Sequence, residues 1–217
     1  MSLCTIVGMG PGMGLSIAKR FAREDYDIAM ISRNQDHLHN YCTILEKSYD
    51  IFASSFVADA GNFDKLEFAF KKIKQKIGST EVLVYNAAVL EKTISSLSAE
   101  EFMDHLRVNV GGAILSTQQV LPEMEKNGIG TILFTGGGFA HEPNLNYVSL
   151  SAGKAALWNY AMNLAQEYEP KGIHVAVVSV FGKVAPRTKY DPDLIAQKYW
   201  ELHTQPREKW EREVRIQ

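Results

Sequence analysis

Short apolar runs alternate along the chain with longer segments in which apolar residues recur every three or four positions. An uninterrupted apolar run of about four to eight residues is typical of a strand buried on both faces, whereas the longer spacing is typical of an amphipathic helix. The pattern therefore predicts strands over residues 3–7, 27–31, 51–57, 82–85, 131–135 and 173–180, with a last short strand over residues 214–216.

Helical segments separate these strands. They are predicted over residues 15–22, 63–77 and 150–168, with another around Leu38 and Leu45. Ser98 and Glu101 form a capping box, which predicts the start of a helix that extends to Met124.

The last helix is predicted to begin at Asp191 and Pro192, because an acidic N-cap followed by proline favours a helix start. Its apolar side is expected to carry Leu194, Ile195, Tyr199 and Leu202.

The alternation of strands and helices predicts an α/β fold. Buried parallel strands with right-handed crossovers imply a Rossmann-type, doubly wound parallel sheet with helices on both faces. A length of 217 residues suits one domain, so we expect residues 1–217 to form a single unit.

Composition and charge narrow the class of function. The net charge is −2 and the sequence contains no basic stripe, which argues against a nucleic-acid partner. No apolar run has the length of a membrane span. Cys4 and Cys42 lack metal-ligand spacing, so no metal site is expected, and such sparse cysteine use fits a reducing compartment. The start at Met1 runs straight into a strand without room for a signal peptide, so we expect a cytoplasmic protein.

The first predicted strand leads into a glycine-rich turn over residues 7–14, and a helix follows at once. A helix N-terminus offers unpaired N–H groups and a positive dipole end, and a phosphate group can reach them where no side chains intervene. The spacing G-x-G-x-x-G fails because Met13 occupies its third glycine position, but G-x-x-x-G-x-G matches at Gly8, Gly12 and Gly14. The alternative is a glycine-rich turn that binds nothing.

This spacing resembles that of the short-chain dehydrogenase/reductase family, and the resemblance extends over nearly the whole chain. It implies a nicotinamide dinucleotide cofactor. Asp59 matches the family acid near the adenine, and Asn86 begins the segment beneath the adenine ribose. The cofactor-binding residues that we expect are Gly8, Gly10, Gly12, Met13, Gly14, Ser32, Arg33, Asn34, Asp59, Ala60, Asn86, Ala87, Ala88, Lys154, Gly182 and Val184.

The end of the second predicted strand favours NADP(H) over NAD(H). Family members that use NAD generally place an acid there to hold the ribose 2′-hydroxyl, whereas this chain has Ser32, Arg33 and Asn34. The planar guanidinium of Arg33 suits a 2′-phosphate. Alternatively, Arg33 is an ordinary surface arginine.

The family's catalytic Asn-Ser-Tyr-Lys set is only half matched. Asn109 and Lys154 occupy the asparagine and lysine positions, but Leu150 occupies the tyrosine position and Gly137 the serine position. Leucine transfers no proton and glycine has no hydroxyl, so the usual mechanism cannot run with these residues.

Two nearby residues are candidate proton donors. Tyr147 precedes Lys154 by seven residues, about two helical turns, and faces the same side if the helix extends that far. His141 lies on the loop that lines the family's substrate pocket and can titrate near neutrality. In a third alternative neither residue transfers a proton.

Two functions therefore stay open. The first is an NADP-dependent oxidoreductase that acts on a small-molecule carbonyl or alcohol with an altered proton donor. The second is a catalytically silent NADP(H)-binding protein that acts as a sensor or assembly partner. The resemblance also implies a homodimer or homotetramer, and residues 181–217 are expected to form a shortened substrate-side segment.

Overall fold

The computed structural model describes residues 2–217, and Met1, on which the signal-peptide expectation depended, lies outside the described residues. Seven parallel strands form one sheet in the order β3-β2-β1-β4-β5-β6-β7. The strands are β1 (Leu3–Val7), β2 (Asp27–Ser32), β3 (Ala53–Val57), β4 (Val82–Tyr85), β5 (Gly130–Thr135), β6 (Ile173–Val180) and β7 (Glu213–Ile216). The chain thus builds outward from β1 to β3 and then reverses, which leaves a topological switch point between β1 and β4.

Helices cover both faces of the sheet. They are α1 (Met13–Ala22), α2 (Gln35–Ser48), α3 (Phe63–Lys76), α4 (Ala99–Leu106), α5 (Gly112–Asn127), α6 (Val148–Tyr168) and α7 (Pro192–His203). Buried side chains of α1, α2 and α7 belong to one hydrophobic cluster, and those of α3, α5 and α6 belong to the other. The predicted doubly wound α/β architecture is therefore confirmed. Over residues 2–217, none of these helices combines the length and apolar character that a membrane crossing requires.

The helix predicted from Ser98 to Met124 is interrupted. A π-helical turn, Arg107–Gly111, separates α4 from α5, which ends at Asn127. Within this turn the carbonyl of Val108 accepts a hydrogen bond from the hydroxyl of Tyr85 at 2.5 Å. Single π-helical turns often mark functional positions, and this one contains Asn109.

Some element boundaries differ from the prediction. Strand β3 begins at Ala53 rather than at residue 51. The carbonyl of Phe52 still accepts from the N–H of Ile28 at 3.0 Å, but its own N–H donates to the Asp27 carboxylate at 2.8 Å and its side chain is exposed. Helix α6 begins at Val148, two residues before the predicted start.

The buried side of α7 differs from the prediction at one residue. Ile195, Tyr199 and Leu202 are fully buried, but Leu194 is 59% exposed and does not share their side. Adjacent residues of a helix point about 100° apart, so only one of the two neighbours can lie on the side of α7 that packs against α1, and that residue is Ile195. Because α7 packs against α1 and β7 extends the sheet, these parts of the expected substrate-side segment belong to the α/β fold itself, and residues 181–191 connect β6 to α7.

These two neighbouring residues provide a direct test of the packing of α7. Replacing Ile195 with alanine is expected to lower the free energy of unfolding by about 2–4 kcal/mol, because it leaves a cavity in the core. The matched variant Leu194→Ala should change it by less than about 0.5 kcal/mol. Urea denaturation measures both values, and equal losses would contradict the assigned orientation of α7.

Candidate functional site

The glycine-rich turn lies at the switch point of the sheet. Gly8 has a φ of +88°, and a Cβ there would overlap the backbone of Asn86 and Ala87. Its N–H donates to the carbonyl of Ile31 at 2.9 Å. The carboxyl ends of β1, β2 and β4 therefore meet at a residue that must be glycine.

The N-terminus of α1 is open beside this turn. Asn34, Asn62, Ser98 and Asp191 cap α2, α3, α4 and α7 with their side chains, whereas α1, like α5 and α6, has no side-chain cap. A Cβ on Gly10 or Gly12 would meet no atom within 4 Å. Among residues 2–217 the N–H groups of Met13 and Gly14 take part in no hydrogen bond, whereas that of Leu15 donates to the carbonyl of Gly10 at 2.9 Å, and Gly14 packs against Met9. This arrangement fits a pyrophosphate group.

A groove of about 590 Å³ lies beyond the ends of β2 and β3, and Arg33 and Asp59 are among its lining residues. The Arg33 guanidinium is 83% exposed and lies 3.9 Å from the Asp59 carboxylate. Ser32 is half-buried at the end of β2, and Asn34 uses its side-chain oxygen to cap α2. Ala60 is buried and is not among the residues that line the groove.

Asn86 joins three strand ends. Its side-chain nitrogen donates to the carbonyl of Gly8 at 2.9 Å, and its side-chain oxygen accepts from the hydroxyl of Thr135 at 2.9 Å. Ala87 and Ala88 continue from it into the loop after β4. The site residues predicted at the ends of β1 and β4 are therefore in direct contact.

Asn109 is 1% exposed in the π-helical turn. Its Oδ1 accepts from the backbone N–H of Val89 at 2.7 Å, which fixes the loop after β4. The Nδ2 atom has no hydrogen-bond partner in the described part of the chain, and it faces Gly153 of α6. An orphaned buried donor of this kind marks a position that a water molecule or ligand can satisfy.

Lys154 projects from α6 toward the end of β5, where its ammonium donates to the carbonyl of Thr135. Burial lowers the pKa of Lys154 from 10.5 to about 8. Gly137 lies opposite the stem of this side chain, and a Cβ there would be 3.9 Å from its Cγ. Leu150, one turn before Lys154, is also buried.

The contacts of the two candidate proton donors differ from those expected. Tyr147 is the N-cap of α6 with φ −141°, so the helix does not extend to it and the assumed helical offset from Lys154 does not hold. Its ring stacks on Phe139 with centroids 5.3 Å apart. The Nε2 atom of His141 is 2.8 Å from the carboxylate of Glu213, so the imidazole is hydrogen-bonded to a residue of β7. No hydrogen bond among residues 2–217 joins either side chain to Lys154.

The connection after β6 contains the remaining predicted residues. Gly182 packs against the ring of Tyr190, and Val184 is half-buried against the cluster that includes α7. Sequence reasoning missed two polar members of the site. Thr135 appeared only as the end of a strand, and Tyr199 only as part of an apolar helix face, yet their hydroxyl oxygens lie 2.6 Å apart.

The buried ammonium of Lys154 predicts a pH-dependent difference in stability. Between pH 8 and 10.5 the unfolded chain binds this proton more strongly than the folded chain, so raising the pH through that window stabilises the fold. Relative to Lys154→Met, the wild-type free energy of unfolding should rise by about 2 kcal/mol from pH 7 to pH 10. Urea denaturation at both pH values measures it, and parallel pH profiles would show that the lysine is not desolvated.

Comparison with known proteins agrees with this geometry. A family model described as short chain dehydrogenase matches residues 3–189. Carbonyl reductase family member 4 of Xenopus laevis is 27% identical over 178 residues, which are 82% of this chain and 73% of that protein. Dehydrogenase/reductase SDR family member 4 of Sus scrofa is 32% identical over 166 residues, which are 76% of this chain but only 59% of that protein.

Among solved structures, the alcohol dehydrogenase from the archaeon Thermococcus sibiricus, complexed with 5-hydroxy-NADP, superposes with a TM-score of 0.90 at 22% identity. The superposition covers 99% of this chain and 95% of that one, and it shows that the two share a fold. The family model matches most of the chain's length, so the protein belongs to the short chain dehydrogenase family.

Proposed function

We propose that the protein is an NADP(H)-dependent oxidoreductase that interconverts a small-molecule carbonyl and an alcohol, with a proton donor other than the family's tyrosine. The observation that carries this proposal is the first turn of α1, where the N–H groups of Met13 and Gly14 take part in no hydrogen bond among residues 2–217 and the space around Gly10 and Gly12 is open. Amides in that arrangement bind a pyrophosphate, which every nicotinamide dinucleotide contains.

The preference for NADP(H) rests on the groove beside β2. No carboxylate follows β2 directly, and the 83% exposed guanidinium of Arg33 is available to a 2′-phosphate. Its ion pair with Asp59 spans 3.9 Å at the surface, where such pairs contribute little, so a phosphate can replace the carboxylate as its partner. The 5-hydroxy-NADP complex of the similar alcohol dehydrogenase agrees with this choice.

The bound nicotinamide supplies hydride transfer in this family. The chain's own residues would position the reactants: Lys154 presents a buried cation near the ends of β5 and β6, and Asn109 fixes the loop after β4. Because Leu150 and Gly137 provide no proton, the donor must be another group. We assign this role to Tyr147, whose ring stacks on Phe139 and whose hydroxyl takes part in no hydrogen bond within residues 2–217.

The alternative is a catalytically silent NADP(H)-binding protein that acts as a sensor or assembly partner. Buried Leu150 at the tyrosine position favours it, because general acid catalysis commonly contributes about 10²–10⁴-fold to a rate. Titration of the purified protein with NADPH and NADH, followed by fluorescence, tests cofactor binding, which both functions require. A panel of carbonyl compounds added to the tighter complex then separates them: carbonyl-dependent oxidation of NADPH supports the enzyme, and tight binding without oxidation supports the silent protein.

The cofactor assignment predicts a selective effect at Arg33. The Arg33→Ala variant should bind NADPH about 10- to 100-fold more weakly, because it loses charge-assisted hydrogen bonds to the 2′-phosphate. Its affinity for NADH, which lacks that phosphate, should change less than about twofold. Arg23→Ala, at an exposed arginine beyond the other end of α1, is the matched control. Equal weakening of both cofactors would rule out Arg33 as the selective residue.

The proton-donor assignment predicts an effect at Tyr147 on turnover alone. Provided that a substrate is found, Tyr147→Phe should lower kcat by about 10²–10⁴-fold, because the variant keeps the ring and loses only the acidic proton. The dissociation constant for NADPH should stay the same, since the hydroxyl contributes to the chemical step. Tyr168→Phe, at the far end of α6, serves as the control. Unchanged turnover in Tyr147→Phe would exclude this tyrosine as the donor.

A further inference from the structure

One continuous hydrogen-bond chain runs from the last helix to the glycine-rich turn. The hydroxyls of Tyr199 and Thr135 are 2.6 Å apart, Thr135 donates to Oδ1 of Asn86 at 2.9 Å, and Nδ2 of Asn86 donates to the carbonyl of Gly8 at 2.9 Å. A threonine hydroxyl has one proton, and here it goes to Asn86. Tyr199 must therefore donate to Thr135, so that every hydrogen bond in the chain points the same way.

The chain is buried along most of its length. Tyr199 is fully buried on α7 and Thr135 is 6% exposed. Burial raises the pKa of Tyr199, so its phenol keeps the proton that it donates. Water cannot easily replace a partner at such a position, so each link depends on the one before it.

Thr135 connects this chain to the second half of the site. Its hydroxyl orients Asn86, while its backbone carbonyl accepts from the ammonium of Lys154. A shift of Thr135 would therefore move both the support beneath Gly8 and the acceptor of Lys154.

We propose that Tyr199 is a positioning residue for the cofactor site, which holds Asn86 and the glycine-rich turn in their binding geometry through Thr135. The proposal rests on the function proposed above, because it concerns how well the chain binds NADP(H). It assigns to α7 a role in cofactor affinity.

The chain contains a matched control for a merely structural role. The hydroxyl of Tyr26 also contacts α7, through His203 at 2.7 Å, and it bonds Glu81 at 2.8 Å. These contacts lie at the amino edge of the sheet, away from Gly8 and Asn86. Removing either hydroxyl weakens the attachment of α7, but only the Tyr199 hydroxyl is linked to the glycine-rich turn.

The test compares Tyr199→Phe with Tyr26→Phe in the full-length protein. Tyr199→Phe should raise the dissociation constant for NADPH roughly tenfold, the effect of one buried hydrogen bond, whereas Tyr26→Phe should leave it within about twofold. Without cofactor, hydrogen exchange at the amides of Gly8 and Met9, which both bond the carbonyl of Ile31, should accelerate in Tyr199→Phe only. Melting temperature reports the loss of stability that both variants share.

A second pair of variants keeps the test independent of the tyrosine ring. Thr135→Val removes the linking hydroxyl with little change of shape and should reproduce the loss of NADPH affinity. Thr135→Ser retains the hydroxyl and should keep the wild-type affinity. If Tyr199→Phe and Tyr26→Phe show the same affinity and the same exchange, the positioning role is wrong. Failure of the wild-type protein to bind either cofactor would instead overturn the proposed function, and the exchange experiment would still decide whether Tyr199 holds the turn.

Discussion

The contact between Gly8 and the backbone of Asn86 and Ala87 is the constraint on which the site depends. Strands β1 and β4 are neighbours at the centre of the sheet, and their last paired residues are Val7 and Tyr85. The chain after each strand must leave the sheet in a different direction, yet the two backbones still touch at Gly8. A side chain at this position would force them apart. It would also tilt the start of α1, remove the Asn86 bond to Gly8 and displace the open amides from the switch point.

Much of this arrangement could be predicted from the sequence because it depends on local pattern. Apolar runs located six strands, the short segment over residues 214–216 indicated the seventh, and the glycine spacing located the turn beside α1. The π-helical turn at Arg107–Gly111 had no such signal, since it forms where the hydroxyl of Tyr85 meets the carbonyl of Val108 from another element. The orientation of α7 could have been predicted more sharply, because Ile195, Tyr199 and Leu202 are spaced by four and three residues, whereas Leu194 lies about 100° from Ile195 around the helix.

The polar contacts of α7 could not be predicted from the sequence. Tyr199 and Thr135 are 64 residues apart in sequence, and nothing in the apolar pattern distinguishes a tyrosine that only packs from one that donates a hydrogen bond. The short connection over residues 181–191 closes on itself, with Asp191 accepting from the backbone of Arg187. The C-terminal part thus contacts the candidate site through buried side chains of α7 and not through a long covering loop.

Lys154 shows why cofactor binding and turnover are separate questions for this chain. A cation buried to 7% exposure disfavours folding unless partners compensate it, and the structure provides one carbonyl, that of Thr135. Leu150 and Gly137, which the sequence resemblance places at the family's tyrosine and serine positions, offer no hydroxyl to the lysine. A buried lysine with so few protein partners is better explained by a ligand that offers hydroxyl or phosphate oxygens than by packing alone. The ribose and phosphates of a dinucleotide supply such oxygens whether or not a proton is transferred. In both proposed functions Lys154 is expected to contact the cofactor, so the choice between them depends on the proton donor.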